Sequence, residues 1–158
     1  MVKVLFVCLG NICRSPTADG VFRKLLVDEG FFDRIAVDSC GTATWHIGKA
    51  PDQRTQIAAA KRGYDLAGLR ARTVKTDDFE QFDYILTMDE SNYNELLVMA
   101  PVQHHGKIRM FLEHAPQCDF SAVPDPYYDG EQGFEIVLDL VESASRGLLE
   151  HIKAHDFS

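Results

Sequence analysis

Short apolar runs alternate along the chain with longer segments in which an apolar residue recurs at every third or fourth position. Residues 2–7 form the first apolar run, interrupted only by Lys3, and predict a buried strand. A loop follows. Apolar residues at helical spacing then predict a helix that is capped by Ser15, begins at Pro16 and is ended by Gly30. We therefore expect the chain to open as strand, loop and helix.

The same alternation continues to the end of the chain. We predict further strands at residues 35–39, 82–88 and 107–110. The remaining predicted helices cover residues 52–62, 89–99 and 132–155. Strands that alternate with helices favour an α/β fold, a parallel sheet with helices on both faces. Because the chain contains no repeat and no linker, we expect a single domain over residues 1–158.

Composition excludes several classes of protein. Of the 158 residues, 46% are hydrophobic, which suits a soluble domain with its own core. A formal net charge of −8 argues against non-specific binding to nucleic acid or to acidic membranes, because both depend on excess Lys and Arg. No stretch reaches the roughly 20 apolar residues of a membrane span, and the first residues do not match a secretory signal.

The cysteines and histidines favour a reduced, metal-free protein. The cysteines are Cys8, Cys13, Cys40 and Cys118. A core of this size needs no disulfides, so we expect a cytoplasmic location. The chain has no Cys-x-x-Cys pair, and its histidines offer no convincing ligand set. We therefore expect neither a metal nor another cofactor.

The loop after the first strand has the composition of an anion site. Cys8 precedes Arg14 by six residues, Gly10 permits close backbone approach, and Asn11 tolerates a left-handed backbone. Backbone N–H groups and a helix N-terminus can surround an anion, and a guanidinium offers paired donors to phosphate oxygens. The same surroundings favour a thiolate, to which Ser15 could donate a hydrogen bond. Because this Cys–Arg spacing is a weak signal alone, a buried cysteine and a surface arginine form the alternative.

Phosphate ester chemistry also needs a proton donor for the leaving oxygen. Asp125 lies between two prolines, which restrict its loop and would aim its carboxyl group. Trp45, Tyr127 and Tyr128 could form the walls of a pocket for a flat aromatic group. A solvated turn aspartate, with each aromatic ring packed against its own loop, is the alternative.

Taken together, these segments resemble the low-molecular-weight protein tyrosine phosphatases. The matching segments are VLFVCLGNICRSP from Val4, DSCGT from Asp38, YILTMDESN from Tyr84 and DPYY from Asp125. The resemblance implies a three-layer, flavodoxin-like fold with a four-stranded parallel sheet. It also implies metal-free hydrolysis of phosphotyrosine and aryl phosphates through a cysteinyl-phosphate intermediate.

The resemblance further implies a role for each matching residue. Cys8 would accept the phosphoryl group, Arg14 would bind its oxygens, and Asp125 would protonate the leaving phenol and then deprotonate water. Other residues would bind phosphate through backbone amides or support the loop, namely Leu9, Gly10, Asn11, Ile12, Cys13, Ser15 and Ser39. The substrate cleft would be lined by Trp45, Tyr127 and Tyr128.

Partners and regulation follow from the same resemblance. The expected substrate is a phosphotyrosine-containing protein, inorganic phosphate would be product or inhibitor, and the chain would be a monomer or weak dimer. Cys13 could form a reversible disulfide with Cys8 that protects the nucleophile. Leu69 departs from the family, because many members have a histidine there that supports the loop asparagine. We therefore expect Asn11 to be held differently and the loop to be less rigid.

Two other functions share parts of this pattern. A thioredoxin-coupled arsenate reductase would need further cysteines near the third strand, and residues 84–94 contain none. A non-catalytic module that binds phosphate or phosphotyrosine would lack one of the three catalytic residues, whereas Cys8, Arg14 and Asp125 are all present.

Overall fold

A four-stranded parallel sheet forms the centre of the protein. The structure is a computed structural model that describes residues 1–126 and 130–157. The strands are β1 (Val2–Cys8), β2 (Ile35–Gly41), β3 (Tyr84–Thr87) and β4 (Ile108–Met110). They lie in the order β2-β1-β3-β4, and every neighbouring pair is parallel. This confirms the predicted parallel sheet, although β3 is shorter than predicted.

Helices follow the strands and cover the sheet. Those in the described residues are α1 (Arg14–Glu29), α2 (Gln53–Lys61), α3 (Asp78–Gln81), α4 (Glu90–Met99) and α5 (Gly130–Asp156). Short 3₁₀ helices at Val102–Lys107 and Phe111–His114 flank β4. The sequence did not predict α3 or the 3₁₀ helices, because one or two turns are too short to show an apolar period. None of the described helices is long and apolar enough to cross a membrane.

The alternation of side chains along β1 explains why both faces of the sheet are covered. Val4 and Phe6 point to one face, where they are buried together with apolar residues of α1 and α5. Leu5 and Val7 point to the other face and are buried with apolar residues of α3 and α4. The sequence of a strand that is buried on both faces is a continuous run of apolar residues, which is the pattern seen in residues 2–7.

The predicted cap of α1 is wrong. The helix begins at Arg14, so Ser15 lies inside its first turn, and Cys13 occupies the cap position without a capping side chain. Thr17 donates its hydroxyl hydrogen bond to the Cys13 carbonyl at 2.7 Å. The Ser15 side chain points instead towards Cys8 and Asn11.

The carboxyl ends of the strands converge at one edge of the sheet. Cys8 ends β1, Asp89 follows β3, and Met110 ends β4. In open α/β sheets, ligands bind at this edge. The predicted anion loop therefore lies where the fold favours a site.

A row of histidines joins α5 to the segment after β4. The His114 and His151 rings have centroids 5.2 Å apart, and His151 stacks on His155 at 4.0 Å. Burial, followed by the charge of His151, lowers the pKa of His114 from 6.5 to about 4. His114 is therefore neutral at pH 7 in the folded protein.

This row predicts a loss of stability in mild acid. Below pH 6.5 the unfolded chain binds a proton at His114, whereas the folded protein resists protonation until about pH 4. Stability should thus fall as the pH drops through this window, by at most about 1.4 kcal/mol per pH unit from one histidine. Urea unfolding at several pH values measures the slope. His114→Phe, which keeps a ring but cannot be protonated, should flatten it, whereas the control His104→Phe should not. An unchanged slope in His114→Phe would contradict the assignment.

Candidate active site

The loop between β1 and α1 is held by hydrogen bonds to its carbonyl groups. Backbone N–H groups from the segment after β2 donate to three of these carbonyls. The pairs are Thr42 to Cys8 (3.0 Å), Ala43 to Leu9 (2.9 Å) and Asp52 to Ile12 (2.8 Å). With these carbonyls already bonded to the neighbouring segment, the conformation of the loop is fixed, and its N–H groups are the ones that could surround an anion, as in backbone sites for anions.

Asn11 is the turning point of this loop. Its φ of 57° is the only positive value at a non-glycine residue among the described residues. Its side-chain Nδ2 donates to Ser15 Oγ at 2.7 Å and to Ser39 Oγ at 3.1 Å, while its Oδ1 accepts from the backbone N–H of Arg72 at 3.0 Å. Both hydrogens and the oxygen of the amide are therefore engaged, which fixes the side chain.

Leu69 takes no part in holding Asn11. Its side chain packs against the apolar core, and the backbone of Arg72 supplies the hydrogen bond to Asn11. The Arg72 guanidinium binds both oxygens of Asp78 at 3.0 and 3.2 Å and donates to Asp38 at 3.1 Å. Burial alone would lower the pKa of Arg72, but these carboxylates outweigh burial and raise it. Asn11 is therefore linked through Arg72 to a cluster of charged side chains. The expectation that the loop is less rigid than in members of the family that the sequence resembles stays a prediction.

Gly41 allows β2 to approach the loop closely. A Cβ atom at this position would lie 2.7 Å from the Leu9 carbonyl oxygen and 3.2 Å from the Asn11 nitrogen. Real Cβ contacts do not reach the shorter of these distances, so a larger residue would displace the loop.

Cys8 lies at the base of the loop, almost completely buried. Its Sγ accepts a hydrogen bond from the Asn11 N–H at 3.3 Å and lies 3.0 Å from Ser15 Oγ. Because the Ser15 oxygen already accepts from Asn11, the Ser15 hydrogen can be donated to this sulfur or to the Cys40 carbonyl at 3.3 Å. Donors directed at sulfur stabilise a thiolate.

Arg14 is buried beside the loop and held by acceptors from distant parts of the chain. Its Nη1 donates to Asp89 Oδ2 at 2.6 Å and to the Val123 carbonyl at 3.1 Å, and its Nη2 lies 3.9 Å from Asp125 Oδ2. Burial alone would lower the pKa of Arg14, but Cys8 and the two aspartates outweigh burial and raise it. Arg14 therefore stays charged in a fixed orientation.

Asp89 is a site residue that the sequence analysis did not assign. One of its oxygens binds Arg14, while the other accepts the Asn92 N–H at 2.9 Å and so caps α4. Its position two residues after a strand, at the carboxyl edge of the sheet, is the signal that could have identified it.

A cleft of about 320 Å³ opens above the loop. It brings together three predicted elements: the loop, Asp125 and Trp45. The Trp45 side chain is 68% exposed, so it stands at the surface of the cleft. His46 also lines the cleft and was not predicted. Tyr127 and Tyr128 lie outside the described residues.

Cys13 lines the same cleft. Burial raises the pKa of its thiol to about 12, so Cys13 carries its proton at neutral pH. Across residues 1–126 and 130–157, no group of three or more His, Cys, Asp or Glu side chains is arranged to hold a metal ion.

Comparison with known proteins identifies the family. The model of the low molecular weight phosphotyrosine protein phosphatases matches residues 3–156. The chain belongs to this family. The low molecular weight protein-tyrosine-phosphatase YfkJ of Bacillus subtilis is 41% identical over 153 residues, covering 97% of each chain. The low molecular weight phosphotyrosine protein phosphatase of Gallus gallus is 43% identical over 150 residues, covering 94% of each.

Solved structures agree with this assignment. A protein tyrosine phosphatase from Entamoeba histolytica matches with a TM-score of 0.95 at 40% identity, over 98% of each chain. The sheet and helices described above are thus the flavodoxin-like fold of the low-molecular-weight phosphatases. Membership makes the chain a hydrolase of phosphoric monoesters.

The charged cluster around Arg72 predicts a distant effect on phosphate binding in this phosphatase. Asp78→Asn removes one charged partner of Arg72. It keeps a side-chain oxygen that can accept the hydrogen bond from the Lys75 N–H, which Asp78 accepts at 2.7 Å in the wild-type protein. The Arg72 amide should then hold Asn11 less firmly. We expect faster hydrogen exchange of that amide and phosphate affinity lower by up to about tenfold, or ~1.4 kcal/mol.

The exposed neighbour Asp77 offers a matched control, since Asp77→Asn removes the same charge one residue away. Calorimetric titration with inorganic phosphate and NMR exchange of the Arg72 amide measure the two effects. Equal behaviour of the two variants would show that the cluster does not support the loop.

Proposed function

We propose that this chain hydrolyses phosphotyrosine in proteins by two successive phosphoryl transfers, with Cys8 as nucleophile. The observation that carries the proposal is the joint position of Cys8, Arg14 and Asp125 around one 320 Å³ cleft. A thiolate, a fixed cation and a carboxyl group are the groups that such a transfer needs.

The first step forms a cysteinyl-phosphate. Cys8 Sγ attacks phosphorus, the S–P bond forms, and the bond from phosphorus to the phenolic oxygen breaks. Asp125 gives its proton to that oxygen, so the leaving group departs as neutral tyrosine. Arg14 and the N–H groups of the loop bind the three remaining phosphate oxygens, where charge is concentrated in the transition state.

The second step returns the enzyme to its starting state. Asp125, now a carboxylate, takes a proton from water while the water oxygen attacks phosphorus. The S–P bond breaks, and inorganic phosphate leaves. Hydrogen bonds from the Asn11 N–H and the Ser15 hydroxyl stabilise the departing thiolate. Asn11 and Ser39 keep the loop in shape for both steps.

The side chains that line the cleft support the proposal that the substrate is an aromatic phosphate. Trp45 presents a flat exposed ring beside the loop. The resemblance to the family supports a role for Tyr127 and Tyr128 in contacting the same substrate. The relatives from Bacillus subtilis and Gallus gallus are named as protein-tyrosine or phosphotyrosine phosphatases, which supports the same substrate here. We place the chain in the cytoplasm as a single domain that works as a monomer or weak dimer.

Cys13 lines the same cleft as Cys8, which supports a role for Cys13 in protecting Cys8 during oxidation. When peroxide converts Cys8 to a sulfenic acid, Cys13 gives up its proton as its sulfur attacks the Cys8 sulfur, the S–O bond breaks, a disulfide forms, and the hydroxyl group leaves with the proton as water. Reduction by a thiol would restore Cys8. The high pKa of Cys13 means that it keeps its proton until this reaction occurs.

Cys8→Ser tests the nucleophile. The variant should lose turnover of p-nitrophenyl phosphate in the presence of EDTA, yet still bind inorganic phosphate, because Arg14 and the loop amides remain. Steady-state kinetics and calorimetry measure the two properties. Cys118→Ser, outside the cleft, serves as the control and should keep its activity. Full activity of Cys8→Ser would refute the mechanism.

Asp125→Ala tests the proton donor. Phenyl phosphate, whose leaving group needs a proton, should be hydrolysed about 10²- to 10³-fold more slowly. Aryl phosphates with more acidic leaving groups should be affected much less, because their phenolates leave without a proton. The dependence of kcat/KM on leaving-group pKa measures the difference, because kcat/KM reports the first transfer and not the later attack of water. The same loss of kcat/KM for every ester would rule out Asp125 as the acid.

A further inference from the structure

A second cavity, of about 590 Å³, lies outside the catalytic cleft and exceeds it in volume. It lies between the first turns of α4, the end of β4 and residues 115–121. Its apolar lining includes Tyr93, Met110 and Phe120, and its acidic lining consists of Glu90, Glu113 and Asp119. We call this cavity, defined by these six residues, the acidic groove.

The acidic groove lies at the same edge of the sheet as the catalytic loop. Met110 is the last residue of β4, and Glu90 begins α4 directly after Asp89. Cys8 ends β1, and β3 and β4 are the next two strands in the order β2-β1-β3-β4. The acidic groove therefore lies beside the ends of β3 and β4.

Residues that are close in the chain face the cleft and the acidic groove. Asp89 and the Val123 carbonyl both bind Arg14 on the cleft side. Their near neighbours in the chain, Glu90 and Ser121, line the groove. One substrate could therefore contact both cavities.

The spacing suits a short stretch of peptide. Neighbouring strands lie about 4.8 Å apart, so the β3 and β4 ends are roughly 5–10 Å from the end of β1. An extended peptide advances about 3.3 Å per residue. A side chain two or three residues from a phosphotyrosine in the cleft would thus reach the acidic groove.

The chemistry of the acidic groove favours a basic side chain. No Lys or Arg lines it among the described residues. Arg109 is bonded to Glu113 at 2.6 and 3.1 Å, whereas Glu90 and Asp119 are exposed acids. Phe120 is 45% exposed. Aromatic and apolar surface can cover the aliphatic stem of Lys or Arg while carboxylates bind the charged end.

We propose that the acidic groove binds a basic side chain of the phosphoprotein substrate, two or three residues from the phosphotyrosine. The stem lies on Tyr93, Met110 and Phe120, and the cation lies beside Glu90 and Asp119. This inference rests on the proposed function, and it adds a substrate preference to it.

Two matched phosphotyrosine peptides test the preference. One carries Arg at the second and third positions on both sides of the phosphotyrosine, and the other carries Gln there. At 150 mM salt, the wild-type protein should prefer the Arg peptide in kcat/KM by roughly five- to tenfold, the range of one or two partly exposed charge pairs. The double variant Glu90→Gln, Asp119→Asn should reduce this preference to about twofold or less.

A control separates local binding from long-range attraction. The double variant Glu29→Gln, Glu95→Gln removes the same charge at exposed positions outside the groove. It should keep the wild-type preference. If both double variants lose the preference equally, the net charge of −8 explains it and the proposal is overturned. No preference in the wild-type protein overturns it as well.

Two further measurements separate this proposal from its rivals. Turnover of p-nitrophenyl phosphate, which is too small to reach the acidic groove, should be equal in all variants. If the wild-type protein did not hydrolyse p-nitrophenyl phosphate, the proposed function itself would be refuted. Sedimentation tests a second copy as the occupant: a dimer that the Glu90→Gln, Asp119→Asn variant dissociates would overturn the proposal.

Discussion

The site depends on the turn at one residue, the left-handed Asn11. This conformation costs most L-residues about 1–2 kcal/mol, asparagine tolerates it better, and three side-chain hydrogen bonds hold Asn11 in it. The turn directs the Asn11 N–H at Cys8 Sγ, and it holds Ser15 with its oxygen occupied and its hydrogen available to sulfur. Without this turn, the loop would lose both its concave shape and the donors at the nucleophile.

Local charge, not total charge, decides what this acidic protein binds. Arg14 is buried against Asp89 and near Asp125, so its orientation is fixed while its charge remains in the cleft. The backbone donors of the loop add positive potential without adding a cation. In the substrate binding proposed above, the acids of the groove contact a different part of the substrate from the phosphate, so an anion site and the acidic groove can lie side by side.

The elements of the fold were predictable wherever a period could be counted. The apolar run of β1 and the stripe of α5 extend over enough residues to distinguish a buried strand from an amphipathic helix. The one-turn helix α3 has no such period. The start of α1 was misplaced because Ser15 suits a cap by residue type, while its hydroxyl is instead engaged by Cys8 and Asn11.

The sequence by itself determined the local part of the site. Cys8, Asn11 and Arg14 are close in the chain, so a strand, a turn and a helix suffice to predict their arrangement. Only the tertiary structure decided which groups hold them, because those contacts cross the chain. Arg72 reaches Asn11 from 61 residues away, and Asp89 and the Val123 carbonyl reach Arg14 from 75 and 109. Such partners are set by sheet order and packing, which no local pattern encodes.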